Sequence, residues 1–440
     1  MKTKIFRVIG VLVVLVALQA CSLESVPDPN FLSVGSVSSN ANKIQLNSLV
    51  YGQYSLARNG LAIYLQVTGT IGKELFNFNT TESRWMTELN GLRIIDNSAF
   101  YNGATTSFGL PVRQANTILA SVEKTSLVTD AEKNAYRGVA NTFKGLASLY
   151  MLNAQYQNGI RLNVEDPFKP SKPASYTESL TGIAGFLDLG ATQLDGAGAS
   201  FPFTSPTGFA SFNTPAEFKK FNRAIALRVA IYQKDWTKAA AIPPTTFFNA
   251  AGSLSAGPQH TFSPSSPDFQ NPLLNVSSAT VVGLDNIFDA IEVGDTRLAK
   301  VTTTGGPFSY TSGTNYTTKY KSNLYTSGTQ PVTIIKNEEL ILIAAEIAAQ
   351  QNNLTTAKTY IDIIRVANGL APIALPASKD VAIDAILKER LYSLWYEGHR
   401  WVDMRRYDKI SQIFLPVTGM KVLTQLERPV QEVNWDAANP

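Results

Sequence analysis

Two matched sets of helical spacings and one long stretch without them predict a helical-repeat scaffold interrupted by a loop-rich insertion. Ala226, Ala230, Trp236 and Ala239 recur 118 residues later as Ala344, Ala348, Leu354 and Ala357. In each set, two small residues on one helix face a large apolar residue and an alanine on the next. That lets antiparallel helices approach closely, which is the logic of a tetratricopeptide-type pair. The separation excludes a tandem solenoid. Between the sets, about 241–330, the chain is punctuated by Pro243-Pro244, Pro258, Pro264, Pro267, Pro272 and Gly305-Gly306-Pro307 and filled with Ser, Thr, Asn and Tyr. Stretches this long without periodicity inside a compact domain are usually functional or disordered.

The first elements are a targeting segment and its junction. Lys2, Lys4 and Arg7 precede an apolar run over 8–18, too short for a settled membrane span. This is a secretory signal peptide, ending in Leu18-Gln19-Ala20-Cys21. Cys21 is the only cysteine. Leu at −3 and Ala at −1 fit a lipobox and Gln at −2 departs from it, so residues 1–20 are expected to be removed and Cys21 acylated. Several acyl chains anchor stably, at roughly 0.8 kcal/mol per buried CH₂. Residues 21–41, rich in Ser, Pro and Asn, read as a tether. One cysteine gives no disulfide framework.

Helical spacing covers 44–56, 111–124 and 131–156. The last carries Ala140, Phe143, Ala147, Tyr150 and Met151 on one stripe, with Asp130 as its expected cap. Asn353 is expected to cap a helix bearing Leu354, Ala357, Ile361 and Ile364, which Asn368-Gly369 and Pro372 stop. A further helix is expected over 381–397, burying Leu387, Leu391, Leu394 and Trp395. A second loop-rich, aromatic region spans about 61–109. The expected organisation is one structural unit from 42, with 42–240 before the 241–330 insertion and 331–440 after it.

The 440 residues are 44% hydrophobic and 16% charged, against a typical ~25% charged. This excludes a disordered polyelectrolyte, a collagen and a coiled coil. The formal charge is +4, yet beyond the signal peptide 35 basic residues meet 34 acidic ones. A near-neutral body argues against nucleic acid as a partner.

The string Glu389-Arg390, then Glu397-Gly398-His399-Arg400-Trp401-Val402-Asp403-Met404-Arg405-Arg406, resembles the C-terminal signature of the SusD/RagB family. Other stretches agree in order: Gly72-Lys73-Glu74 through Trp85-Met86-Thr87-Glu88-Leu89, Arg113 to Leu119, Asn222 to Ala239, Asp295-Thr296-Arg297-Leu298 with Lys319-Tyr320, and Asn337 to Arg365. One turn departs from the family pattern, reading Gln157-Asn158-Gly159-Ile160-Arg161-Leu162. The resemblance implies an all-α, tetratricopeptide-like scaffold with irregular loops. It also implies a lipoprotein of the Bacteroidetes outer membrane, over a SusC/RagA-type TonB-dependent transporter, capturing oligosaccharide or, in some members, peptide. The rival readings are a lipid-anchored interaction scaffold without a small ligand and a lipid-anchored hydrolase.

The charged signature itself reads as structure. Glu389, Arg390, Glu397, Arg400, Asp403, Arg405 and Arg406 are expected to form ion pairs, because Arg forks suit carboxylates. His399 has no second His at metal-ligand spacing and reads as a packed or surface residue. The spacing of Asp285, Asp289, Glu292 and Asp295 would put several of them on one helix face, where solvated charge is the ordinary reading and calcium the sharper one. Catalytic motifs are lacking: there are two histidines, no His-Glu-x-x-His and no Gly-x-Ser-x-Gly. No metal, cofactor or enzymatic activity is expected. Sugar capture needs flat apolar faces beside amides and hydroxyls. Trp236, Trp395 and Trp401 fall in helical signatures, and Trp435, near the C-terminus, is uninformative. That leaves Trp85, in the first loop-rich region, with Tyr310, Tyr316 and Tyr320 in the second, as the expected ligand-binding residues.

Overall fold

The computed structural model describes residues 37, 39–276, 279–310 and 315–439. The expected signal peptide and Cys21 lie outside them. Val37 and Ala41 are buried, and Thr125 donates to the Ala41 carbonyl at 2.6 Å, so the chain belongs to the body before residue 42.

The N-terminal scaffold consists of α1 (Lys43–Asn59), α2 (Leu61–Ile71), α3 (Gly109–Lys124), α4 (Asp130–Gln155) and α5 (Tyr176–Asp195). Caps explain several starts: Asn42 with Gln45, Thr129 with Glu132 and Ser175 with Glu178 each form a reciprocal capping box. Thr129, not Asp130, therefore caps α4; Asp130 is its first residue, where a negative charge suits the helix dipole. α4 packs against α3 and α5, while on its stripe Phe143 meets Tyr54 of α1 and Phe218, and Tyr150 meets Tyr64 of α2. Residues 61–71 are helical rather than loop, since Tyr64, Leu65, Val67 and Ile71 supply a buried face.

The matched spacings are two helix pairs. α6 (Pro215–Tyr232) turns into α7 (Trp236–Ala241), and α8 (Asn337–Gln350) turns into α9 (Leu354–Ala367). All six alanines of the two sets are buried. Both turns also place a left-handed residue at the same point, Lys234 at φ 57° and Asn352 at φ 60°, followed by the caps Asp235 and Asn353. Then α10 (Lys379–Ser393) ends earlier than expected. Leu394, Trp395 and Tyr396 leave the helix, with Tyr396 (φ 66°) and Gly398 (φ 77°) reversing the chain into α11 (Arg400–Arg406). A last helix, α12 (Val430–Ala438), is tied back by Asp436 to Arg161 at 2.6 Å.

The C-terminal signature is a set of buried joints. Arg390 binds Asp403 at 2.7 Å, Arg406 binds Asp403 and Glu346, and Glu389 meets Arg365 and Arg297 at 2.8 and 2.7 Å. Glu397 pairs with Lys336 at 2.6 Å. Arg405 differs from expectation. It donates to the carbonyls of Asn153 and Thr424 and lies over Tyr156 and Trp401, so backbone and ring faces replace a carboxylate. Arg400 likewise shows no direct carboxylate contact among the described residues.

Candidate ligand-binding face

The two loop-rich regions are one place. Strand β1 (Leu75–Asn79) from the first pairs antiparallel with β3 (Ala279–Gly283) from the second, from Leu75 opposite Gly283 to Asn79 opposite Ala279. β3 continues to β7 (Lys321–Ser322) and β7 to β4 (Val301–Thr302), making a four-stranded sheet. Asn275 stitches it: its side-chain amide donates to the Val281 and Ser322 carbonyls at 3.1 and 3.2 Å, and its oxygen accepts from the Val281 N–H at 2.8 Å. Beside the sheet, β5 (Phe308–Tyr310) and β6 (Tyr316–Thr318) form a hairpin. The insertion is thus stapled sheet, not slack loop.

This stapling decides where the expected aromatics go. Tyr316 turns inward, 4.5 Å from Phe76 and 6.0 Å from Phe78 between ring centroids, and burial pushes its hydroxyl up to about 12. Tyr320 packs on Phe288 at 5.4 Å and donates to Asp289 at 2.7 Å. Trp85 is 5% exposed in a satellite core with Val67, Ile71, Leu89, Trp401 and Leu426, its ring 4.9 Å from Phe100. An aromatic platform needs an open face, and Trp85, Tyr316 and Tyr320 present none: the sheet and the short helices around it need these rings as filling. Tyr310 sits opposite Tyr316 in the hairpin; its side chain lies outside the described part. The acidic cluster is also dispersed. Only Asp285–Phe288 is helical, and the carboxylates find separate partners: Asp285 with Thr318, Asp289 with Lys319, Glu292 with Arg365 and Lys388, and Asp295 with Arg297. Among the described residues no acidic, His or Cys cluster suits a metal.

What the loops do present is a cavity of about 220 Å³ where the insertion docks on α1. Tyr51, Tyr54 and Arg58 come from α1, and Gln259 and His260 from β2 (Gln259–His260), which pairs with β8 (Val332–Thr333). Asp268 completes it. Arg58 is the hub. Its guanidinium bonds the Thr261 carbonyl and the Asp268 carboxylate and lies 5.2 and 4.6 Å from the Phe262 and Phe269 ring centroids. Arg58 in turn holds the Asp268 carboxyl below the usual range. His260 is buried, and burial, with Arg58 nearby, lowers its imidazole to about 3, so it is neutral. Its Nε2 has no partner among the described residues. Tyr51 stands at the mouth, 46% exposed. The volume is below the ~300–1,000 Å³ of drug-sized sites, which suits one small ring. An open phenol ring, a carboxamide, a neutral imidazole and a matched Arg–Asp pair are the groups that read neutral hydroxyls.

Sequence reasoning missed all of these residues. The only available signal was that Tyr51, Ser55 and Arg58 share one face of α1 with the core residue Tyr54.

Residues 287–439 match the model of the SusD family. The C-terminal third of this chain is thus similar to the SusD family, and the body as a whole has the SusD fold. A SusD superfamily protein from Bacteroides vulgatus superposes with a TM-score of 0.67 at 14% identity, over 89% of this chain and 97% of that one. Surface glycan-binding protein A from Bacteroides thetaiotaomicron, in complex with laminarihexaose, gives 0.66 at 11% identity, over 90% and 98%. NanU from Bacteroides fragilis gives 0.64 at 15%, over 89% and 94%. No curated protein matches the sequence. The tetratricopeptide-like helical architecture is that of these SusD-like proteins.

Proposed function

We propose that this chain is a surface-exposed, nutrient-binding lipoprotein that captures a glycan and delivers it to a SusC/RagA-type TonB-dependent transporter. The observation that carries the glycan reading is the lining of the α1 cavity: the Tyr51 ring, the Gln259 amide and neutral His260 beside the paired Arg58 and Asp268. The fold shared with a laminarihexaose-binding protein supports that ligand class. Cys21, acylated, would hold the protein on the outer membrane. Tyr310, on the hairpin, remains a proposed contact alongside Tyr51.

Binding without turnover suits the cavity. Asp268 is the one carboxylate among its lining residues and is committed to Arg58, whereas glycoside hydrolysis ordinarily takes two carboxyl groups. No helix among the described residues is long and apolar enough to cross a membrane, so solute passage is assigned to a partner.

The test is calorimetric titration of the mature protein with laminarihexaose, backed by an array of other hexose oligomers. Saturable binding to at least one glycan is expected, weakened about tenfold or more by Tyr51→Ala and by Gln259→Ala. Silence across the array, or undiminished affinity in both variants, overturns the reading. Co-purification with a TonB-dependent barrel in mild detergent tests the delivery step.

A further inference from the structure

An apolar cavity lies in the helical scaffold and takes no part in the proposed glycan site. It measures about 640 Å³ and is bounded by α3, α4, the 160–170 loop and Glu432 of α12. Its walls are aliphatic: Val37, Val112, Leu119, Met151, Ile160 and Val164. No aromatic ring lines it, so it lacks the flat face a pyranose needs. Two buried amides add polarity. Asn116 is 9% exposed with neither amide atom partnered, and Gln155 is 1% exposed with its Nε2 unpartnered. A carboxamide with free donor and acceptor complements one peptide unit, which offers an N–H and a C=O. Leaving both unmade in a buried site is costly, because each group has given up its water without a replacement partner. Aliphatic walls with amides suit an extended peptide carrying large apolar side chains.

We infer that this cavity receives the chain's own segment before Val37, with Phe31, Leu32 and Val34 as the apolar knobs. Four features favour that occupant. Val37, the first described residue, itself lines the cavity. Phe31 is six residues away, within ~20 Å along an extended chain. Residues 22–36 carry Glu24 and Asp28 and no Lys or Arg. Of the charged lining residues, Glu123, Glu165 and Glu432 are paired with Arg137, Lys144 and Arg161, which leaves Arg113 without an ion-pair partner among the described residues. Finally, a covalently attached occupant acts at an effective concentration near millimolar for a short linker, which a dilute foreign peptide cannot match. The consequence for the anchored protein, resting on acylation of Cys21, is a shortened leash. Nine residues from Cys21 to Asn30 reach at most ~30 Å, which holds the body near the lipid. The cavity's occupancy does not depend on the anchor.

The experiment uses the full mature chain with Cys21→Ser, which removes the only native cysteine, and Met151→Cys as a reporter in the cavity wall. Maleimide labelling of the introduced thiol is expected to be slow. It should accelerate about tenfold or more when Phe31→Asp and Leu32→Asp are added, and slow again with a synthetic peptide of residues 22–36. Ala120→Phe, at an exposed wall position, should block that rescue while leaving the melting temperature near its starting value. Equal labelling with and without the Asp pair overturns the inference, as does failure of the peptide to protect. Neither outcome touches the glycan reading, which is measured at Tyr51 and Gln259.

Discussion

Arg228 and Glu339 meet through two parallel N–H···O bonds of 2.7 and 2.6 Å, both side chains buried, and so join α6 of one helix pair to α8 of the other. Glu339 also lies 3.6 Å from the Nε2 of His399, which burial keeps neutral. Arg228 leads the attractive partners that hold the Glu339 carboxyl at about 2 against its burial. Removing one partner of such a pair strands a buried charge, at a cost of roughly 3–5 kcal/mol. Arg228→Met should therefore lower stability in urea unfolding by about that much. Adding Glu339→Leu should recover most of the loss, because a packed apolar pair is often as stable as the ionic one. If the double variant is no better than the single, the cost lies in packing rather than in the stranded carboxylate.

Trp85 separates core from ligand face. In this structure it fills the satellite core beside Phe100 and Trp401. Truncating a buried Trp typically costs about 3–5 kcal/mol. Trp85→Ala should lower the melting temperature clearly, whereas Tyr51→Ala, at an exposed ring, should weaken glycan binding and barely move the melt. Melting curves and titrations on both variants check the contrast; a Trp85→Ala protein of unchanged stability would return that ring to the ligand face.

The same contrast shows what the sequence could and could not reveal. The helix pairs were legible because small residues at fixed spacing report a local rule, and the structure extends the match to Lys234 and Asn352 and to their caps. The ion-paired role of Glu389, Arg390 and Asp403 was legible from residue chemistry. The ligand face was not. It depends on β1 meeting β3 some two hundred residues away, and on Arg58 capturing Asp268, neither of which leaves a local pattern. Trp85 was misplaced for a related reason. Loop-like composition gives no sign that short helices will close over a ring.

Lys73 and Glu74 give a pH signature. Both are buried. Neither Glu74 carboxylate oxygen has a hydrogen-bond partner among the described residues, and burial, only partly opposed by Arg400 and Lys300 and reinforced by Glu397 and Asp403, lifts its carboxyl to about 8. Burial lowers the Lys73 ammonium to about 7. A carboxyl raised on folding contributes stability that is full below its unfolded value of ~4.3 and is lost as pH rises through 8, at about 1.4 kcal/mol per unit. The depressed Lys73 has the opposite sign, with stability full above ~10.4 and lost as pH falls through 7. From about pH 4.5 to 7 Glu74 acts alone. Glu74→Gln should therefore gain on the wild type steadily across that window, by a few kcal/mol at most. Urea unfolding at pH 5 and pH 7 decides it; an equal offset at both pH values refutes the assignment.

The anchor prediction rests on the sequence before the body. The apolar run over 8–18 ends at Leu18-Gln19-Ala20-Cys21, and no other cysteine can substitute for Cys21. Acyl chains bind membranes by burying CH₂ groups, one chain marginally and several stably. Among the described residues no helix is both long and apolar enough to cross a membrane. Cys21→Ser should accordingly abolish incorporation of a labelled fatty acid and move the protein from the membrane fraction to the soluble one. Tyr51→Ala should leave both unchanged, since Tyr51 lies at the cavity on α1. Glycan affinity in the Cys21→Ser protein should equal that of the acylated form, because the cavity groups come from α1, β2 and Asp268. Label retained in the Cys21→Ser chain would require another acylation site and would defeat the lipobox assignment.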